Sequence, residues 1–211
     1  MNFLAHFHLA WPDPGLVAGA LEGDYRKGPL NGQLAADIED GVRLHRAVDA
    51  FTDAHPEIRH LREQFPAGLR RYAGILIDLS FDHYLSRHWS RYSEVELRTF
   101  NRGVCSILRM RRHQLAEGTR RMAARLEEHD LLNRYHHWDT VTGSAERVGN
   151  RLRRGNPLLG VQAPLAPLRP ALEEAFLRFY PELTAFSRAY RARLNRSGEA
   201  ASNVAPDAKS H

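Results

Sequence analysis

Three stretches of the chain concentrate histidine and aspartate on segments that are otherwise apolar, where an unpaired polar group is costly to bury. In the first, Asn2-Phe3-Leu4-Ala5-His6-Phe7-His8-Leu9-Ala10, the two histidines are two residues apart. On a helix they point to different faces, so only one of them can address a shared site. In residues 43–53, His45, Asp49 and Asp53 recur every four positions and form one polar stripe. In residues 78–89, Asp78 and Asp82 again lie one turn apart, with His83 beside Asp82. Two carboxylates on one face repel each other unless a cation joins them, which makes a divalent metal the economical partner. Arg43, Arg46 or Arg87 could supply the countercharge instead, in a buried ion network. Imidazole and carboxylate donors suit manganese, iron, zinc or magnesium-like ions rather than a thiolate site, and Cys105 has no second cysteine to work with. With Asp24 from an early loop, three segments would converge on one centre able to polarise a phosphoryl oxygen and activate water.

The elements that must position these residues are helical. Apolar residues recur at helical spacing almost throughout, and the alternating β-branched runs of strands are missing, so the expected fold is all-α. Asp13-Pro14 reads as an N-cap followed by proline at the first helical position, opening a short helix that gives way to a loop over residues 23–29. Amphipathic helices are expected over residues 34–52 and 69–89. Ser93 and Glu96 form a capping-box pattern at the head of a helix reaching residue 112. Further helices are expected over 119–135, 142–153 and 168–194, with a Gly/Pro-rich connection over 154–170. Residues 1–194 then make one domain, and 195–211, small and polar, an expected disordered tail.

Composition fits this outline: 43% hydrophobic and 26% charged residues are ordinary for a globular domain that buries a core. No apolar run is long enough to cross a bilayer and the first residues lack a signal-peptide pattern, so a cytoplasmic location without membrane contact is expected. The net charge of +5, nearly all of it arginine, favours an anionic partner. The runs Arg109-Met110-Arg111-Arg112 and Arg151-Leu152-Arg153-Arg154 raise a nucleic-acid-binding module as one alternative. No recognised nucleic-acid motif accompanies them, so they read as solvated faces. The single Glu-x-x-His unit at Glu57–His60 has no second copy, which argues against a ferritin-like di-iron bundle.

The same residues carry a resemblance. Asn2-Phe3-Leu4-Ala5-His6 with His8-Leu9-Ala10, Gly23-Asp24 with Arg26 and Gly28, His45-Arg46 with Asp49, Thr52-Asp53 and Pro56, and Asp78 with Asp82-His83 and Leu85–Ser90 together resemble the acyl carrier protein phosphodiesterase family, a distant HD-type phosphohydrolase branch. Phe179-Tyr180-Pro181 is similar to the closing helix of that family. The resemblance implies a distorted HD-like helical bundle, since the adjacent pair here runs Asp82-His83, the reverse of the usual order. It further implies metal-dependent hydrolysis of the phosphodiester between 4'-phosphopantetheine and a serine of an acidic protein substrate, acyl carrier protein. Manganese is the implied metal, with magnesium or iron as alternatives. On this view Asp24, His45, Asp78, Asp82 and His6 are metal candidates, His83, Asp49 and Asp53 are catalytic candidates, and Arg26, Arg43, Arg46 and Arg87 are candidates for substrate contacts. A related hydrolase acting on a nucleotide would use the same centre.

Overall fold

A computed structural model describes residues 1–152 and 156–202, with side chains as far as residue 196. The described chain is all-α, and no strand forms among these residues. The first three helices are α1 (Phe3–Ala10), α2 (Pro14–Tyr25) and α3 (Ala36–Ala54). The Asp13 carboxylate accepts from Leu16 N at 2.9 Å, so the expected N-cap of α2 is made. The helix outlasts the expectation, however, and carries Asp24 and Tyr25 on its last turn rather than in a loop. After α3, Pro56 forces His55 into an extended conformation and then serves as the first residue of α4 (Pro56–Glu63), a helix that the expected spans of 34–52 and 69–89 left out.

Helix α5 (Ala73–Arg87) follows a short 3-10 turn. The expected capping box before α6 (Leu97–Met110) does not form. Glu96 is itself the N-cap, accepting from Thr99 N at 2.8 Å, while the Ser93 hydroxyl turns back onto Val95. The single helix expected over 119–135 is two, α7 (Glu117–Glu128) and α8 (Leu131–Arg134), divided by Asp130 with φ of 50°. Aspartate tolerates that left-handed conformation better than most residues, so it can break a helix without glycine. Then come α9 (Trp138–Gly149), α10 (Gln162–Leu165) and α11 (Arg169–Ser202), which carries Pro181 within it. Helical backbone thus runs past residue 194, where the tail was expected to begin; residues 203–211 of that tail lie outside the described residues.

One continuous apolar core joins these helices, and α1 runs through it, packed on α2, α3, α5 and α11. Leu4, Ala5 and Phe7 of α1 and Phe176, Phe179, Tyr180 and Leu183 of α11 are essentially inaccessible. A phenylalanine buried in this way stabilises the fold by roughly 2–3 kcal/mol, so α1 is held as a central strut from which its histidines project. Helices α2 and α3 meet almost backbone to backbone: a Cβ on Gly19 would stand 2.3 Å from the Ile38 carbonyl oxygen. That approach brings the C-terminal end of α2 against the middle of α3, Asp24 beside His45.

Candidate metal centre

His6 from α1 and His45 and Asp49 from α3 form one cluster. Their ligand atoms lie within 4.8 Å of one another, the arrangement among the described residues that could hold a metal ion. The Asp49 carboxylate stands 3.1 Å from His6 Nε2 and 3.2 Å from His45 Nε2, and the two imidazoles stack with centroids 4.0 Å apart. Close packing sets this geometry, since a Cβ on Gly23 would lie 2.4 Å from His45 Cγ. His45 Nδ1 faces the Ala20 carbonyl oxygen at 2.8 Å. A carbonyl only accepts, so Nδ1 carries the hydrogen and Nε2 is left as the ligand atom turned into the cluster. His6 Nε2 is buried and makes no hydrogen bond despite its nearness to Asp49. Burial, with the stacked His45 adding to it, pushes His6 down to about 3 and keeps it neutral. Burial alone would raise Asp49, but the His45 and His6 contacts outweigh it and hold the carboxylate well below its ordinary range. A buried, orphaned imidazole nitrogen beside an ionised carboxylate is a donor set that a divalent cation satisfies, so these residues fit the metal implied by the sequence.

More carboxylates surround the cluster. Asp24 Oδ1 is 3.9 Å from His45 Nε2, beyond hydrogen-bond range, and desolvation raises its pKa. The Met1 ammonium, fully buried, lies 3.3 Å from Asp49 Oδ1 and 3.2 Å from Asp78 Oδ1. Although desolvation opposes it, those two carboxylates lift the ammonium to about 10, so the region already attracts a positive charge. The amide of the neighbouring Asn2 donates to Tyr135 at 2.6 Å, tying the start of α1 to the end of α8.

The other expected site residues are placed elsewhere. Asp82 spends both oxygens on the N-terminus of α1, accepting from Leu4 N at 2.8 Å and Ala5 N at 3.0 Å. It therefore anchors the helix that presents His6, and burial raises its pKa to about 7 despite those two bonds. One residue further round α5, His83 donates from Nδ1 to the Tyr135 carbonyl at 2.8 Å and packs edge-on to Trp138. Asp53, third in the α3 stripe, leaves the cluster for an exposed pair with Arg62 at 2.6 Å. His8 is satisfied on both sides, by the Tyr92 carbonyl at 3.1 Å and the Tyr180 hydroxyl at 2.8 Å, so of the two α1 histidines only His6 reaches the site.

The arginines expected to touch substrate are mostly engaged internally. Arg26 faces the buried Glu22 at 3.4 Å, Arg43 pairs with Glu39 and Asp40, and Arg46 donates to the Arg26 carbonyl. Arg87 is exposed at the end of α5. Within the two arginine runs, Arg109 pairs with Glu127 and Arg111 with Asp37; Arg153 and Arg154 lie outside the described residues. Sequence reasoning missed the small-residue spacing Gly15, Gly19, Gly23, which was visible at four-residue intervals and is what lets α2 approach α3.

The comparisons with known proteins bear on the same residues. The family model for "Acyl carrier protein phosphodiesterase" matches residues 1–183, a span that contains the whole cluster. A protein of Pectobacterium atrosepticum named acyl carrier protein phosphodiesterase is 32% identical over 184 residues, 87% of this chain and 95% of that protein. One of Salmonella agona with the same name is 33% identical over 190 residues, 88% of this chain and 96% of its own. No solved structure matches. Among the described residues no helix is long and apolar enough to cross a membrane. With the family model spanning most of the chain and relatives at this level of identity covered almost end to end, the chain belongs to the acyl carrier protein phosphodiesterase family.

Proposed function

We propose that this protein is a metal-dependent phosphodiesterase that releases 4'-phosphopantetheine from a serine of holo acyl carrier protein. The observation that carries this reading is the buried, unbonded His6 Nε2 facing Asp49 beside His45, in a chain whose relatives bear that enzyme's name. His6, His45 and Asp49 would hold the ion, with Asp24 as a further donor from the end of α2. When bound, the ion supplies Lewis-acid polarisation of the phosphoryl group and lowers the pKa of water. The protein's own contribution is electrostatic and geometric. Asp24, Asp49 and Asp78 set three carboxylates against the single Met1 ammonium, an excess of two negative charges that a divalent cation would offset. Without that cation an anionic phosphodiester would be repelled. The His45 Nδ1 bond to Ala20 and the Asp82 bonds to α1 fix the two imidazoles before substrate arrives.

Manganese, the ion the family resemblance implies, is our choice, with magnesium or iron as alternatives; mixed imidazole and carboxylate donors accept all three. We place the protein in the cytoplasm, where its one thiol, Cys105, stays reduced. Mass spectrometry of holo carrier protein incubated with metal-stripped enzyme, with and without manganese, tests the proposal. The expected result is metal-dependent loss of phosphopantetheine, with a panel of nucleotides left intact. Turnover of a nucleotide while holo carrier protein stays unchanged would overturn it.

A further inference from the structure

The arginines nearest the cluster by sequence, Arg26, Arg43 and Arg46, are committed to bonds within α2 and α3, which leaves open where an acidic protein substrate would be held. Beside the centre lies a groove of about 200 Å³, floored by Phe3, Met122 and Leu131 and rimmed by Arg125, Arg147 and Arg151. No residue of the cluster lines it, but chain neighbours of the centre do. Asn2 and Phe3 stand between Met1 and Leu4, whose partners are Asp49, Asp78 and Asp82, and Leu79 in the same wall follows Asp78.

Tyr25 makes a second link. It follows Asp24, packs its ring so tightly on α7 that a Cβ at Gly118 would lie 2.6 Å from it, and feels the charges of Arg151, Arg125 and Arg121. The three rim arginines are exposed, and Arg125 and Arg151 face no carboxylate among the described residues. Arg147 reaches only the Ser144 hydroxyl, at 2.8 Å. Unpaired guanidinium groups around an apolar floor form the complement of a protein surface that alternates carboxylates with aliphatic side chains. Such a surface would lie across the mouth with its reactive ester directed to the cluster.

We propose that the arginine-rimmed groove between α7 and α9 is the surface that docks the acidic carrier protein beside the metal centre. The inference rests on the function proposed above. It is tested with the full-length, manganese-loaded enzyme and two double variants, Arg125→Glu/Arg151→Glu and Arg125→Gln/Arg151→Gln. Each is assayed on holo carrier protein over a range of salt, and on bis(4-nitrophenyl) phosphate, which reports on the metal centre alone. The glutamate pair is expected to raise KM for holo carrier protein about tenfold or more and the glutamine pair about threefold. The wild-type salt dependence should flatten, while kcat and turnover of the small ester stay within about twofold. A KM for holo carrier protein within twofold of wild type in the glutamate pair overturns the docking surface while leaving the function intact. An equal loss on both substrates overturns it too, since the arginines would then be supporting the centre itself. Wild-type enzyme that cleaves the small ester but not holo carrier protein defeats the proposed function and, with it, this surface.

Discussion

Helix α3 and helix α5 each carry acidic residues one turn apart beside a histidine, yet the two stripes meet different surroundings. On α3, Asp49 turns towards two imidazoles at 3.1 and 3.2 Å and becomes the centre of the cluster. On α5, Asp78 meets the Met1 ammonium, while Asp82, one turn on, meets the first backbone N–H groups of α1. A carboxylate at a helix N-terminus is already satisfied by the donors it finds there. Spacing places groups on one face of a helix, and the neighbour packed on that face decides whether they gather a metal, cap a helix or pair with an arginine.

The largest expected effect tests the α3 half. Asp49→Asn should lower kcat/KM by roughly a thousandfold or more and strip the bound metal. Its melting temperature should fall by only a few degrees, because the half-exposed side chain leaves the Met1 ammonium its second partner, Asp78. Stoichiometric metal in the dialysed variant, measured by elemental analysis, would move the centre elsewhere. The α5 half should respond the other way round. Asp82→Ala orphans Leu4 N and Ala5 N in the core, so urea denaturation should show a loss of about 3 kcal/mol, with metal per folded molecule largely kept. Metal lost at unchanged stability would return Asp82 to the ligand set.

A third expectation concerns His83 and pH. Burial lowers it from 6.5 to about 4, so between those values the unfolded chain binds a proton that the folded protein refuses. Its contribution is therefore complete above about pH 6.5 and is lost as pH falls through the window towards 4, on the order of 2 kcal/mol. Unfolding free energies at pH 7.5, 6 and 4.5 should converge between wild type and His83→Gln as the solution is acidified; parallel curves would show that His83 titrates normally. The smallest effect belongs to Asp53→Asn, which breaks an exposed pair with Arg62 and should change stability by less than about 0.5 kcal/mol and activity hardly at all. A large loss of activity there would extend the working stripe along the whole of α3.

Much of this was legible in the residues themselves. Helical periodicity, the Asp13 cap and the apolar spacing of residues 34–52 determine an all-α chain, because they depend on neighbours within one or two turns. The two-residue offset of His6 and His8 likewise implied that only one would reach a shared site, and the four-residue step from His45 to Asp49 put both on one face. The division of α7 from α8 at Asp130 was hidden because it turns on one left-handed residue that is not glycine. Which carboxylates join the histidines could not be read from spacing, since Asp24, Asp78 and Asp82 have similar chemistry and separate only by what each touches. Packing made that choice: the contact of Gly19 and Gly23 with α3 brought Asp24 to His45, and the buried start of α1 claimed Asp82. A long-range contact depends on the whole core closing, so only the tertiary structure decided which aspartates front the cavity and which hold the helices that surround it.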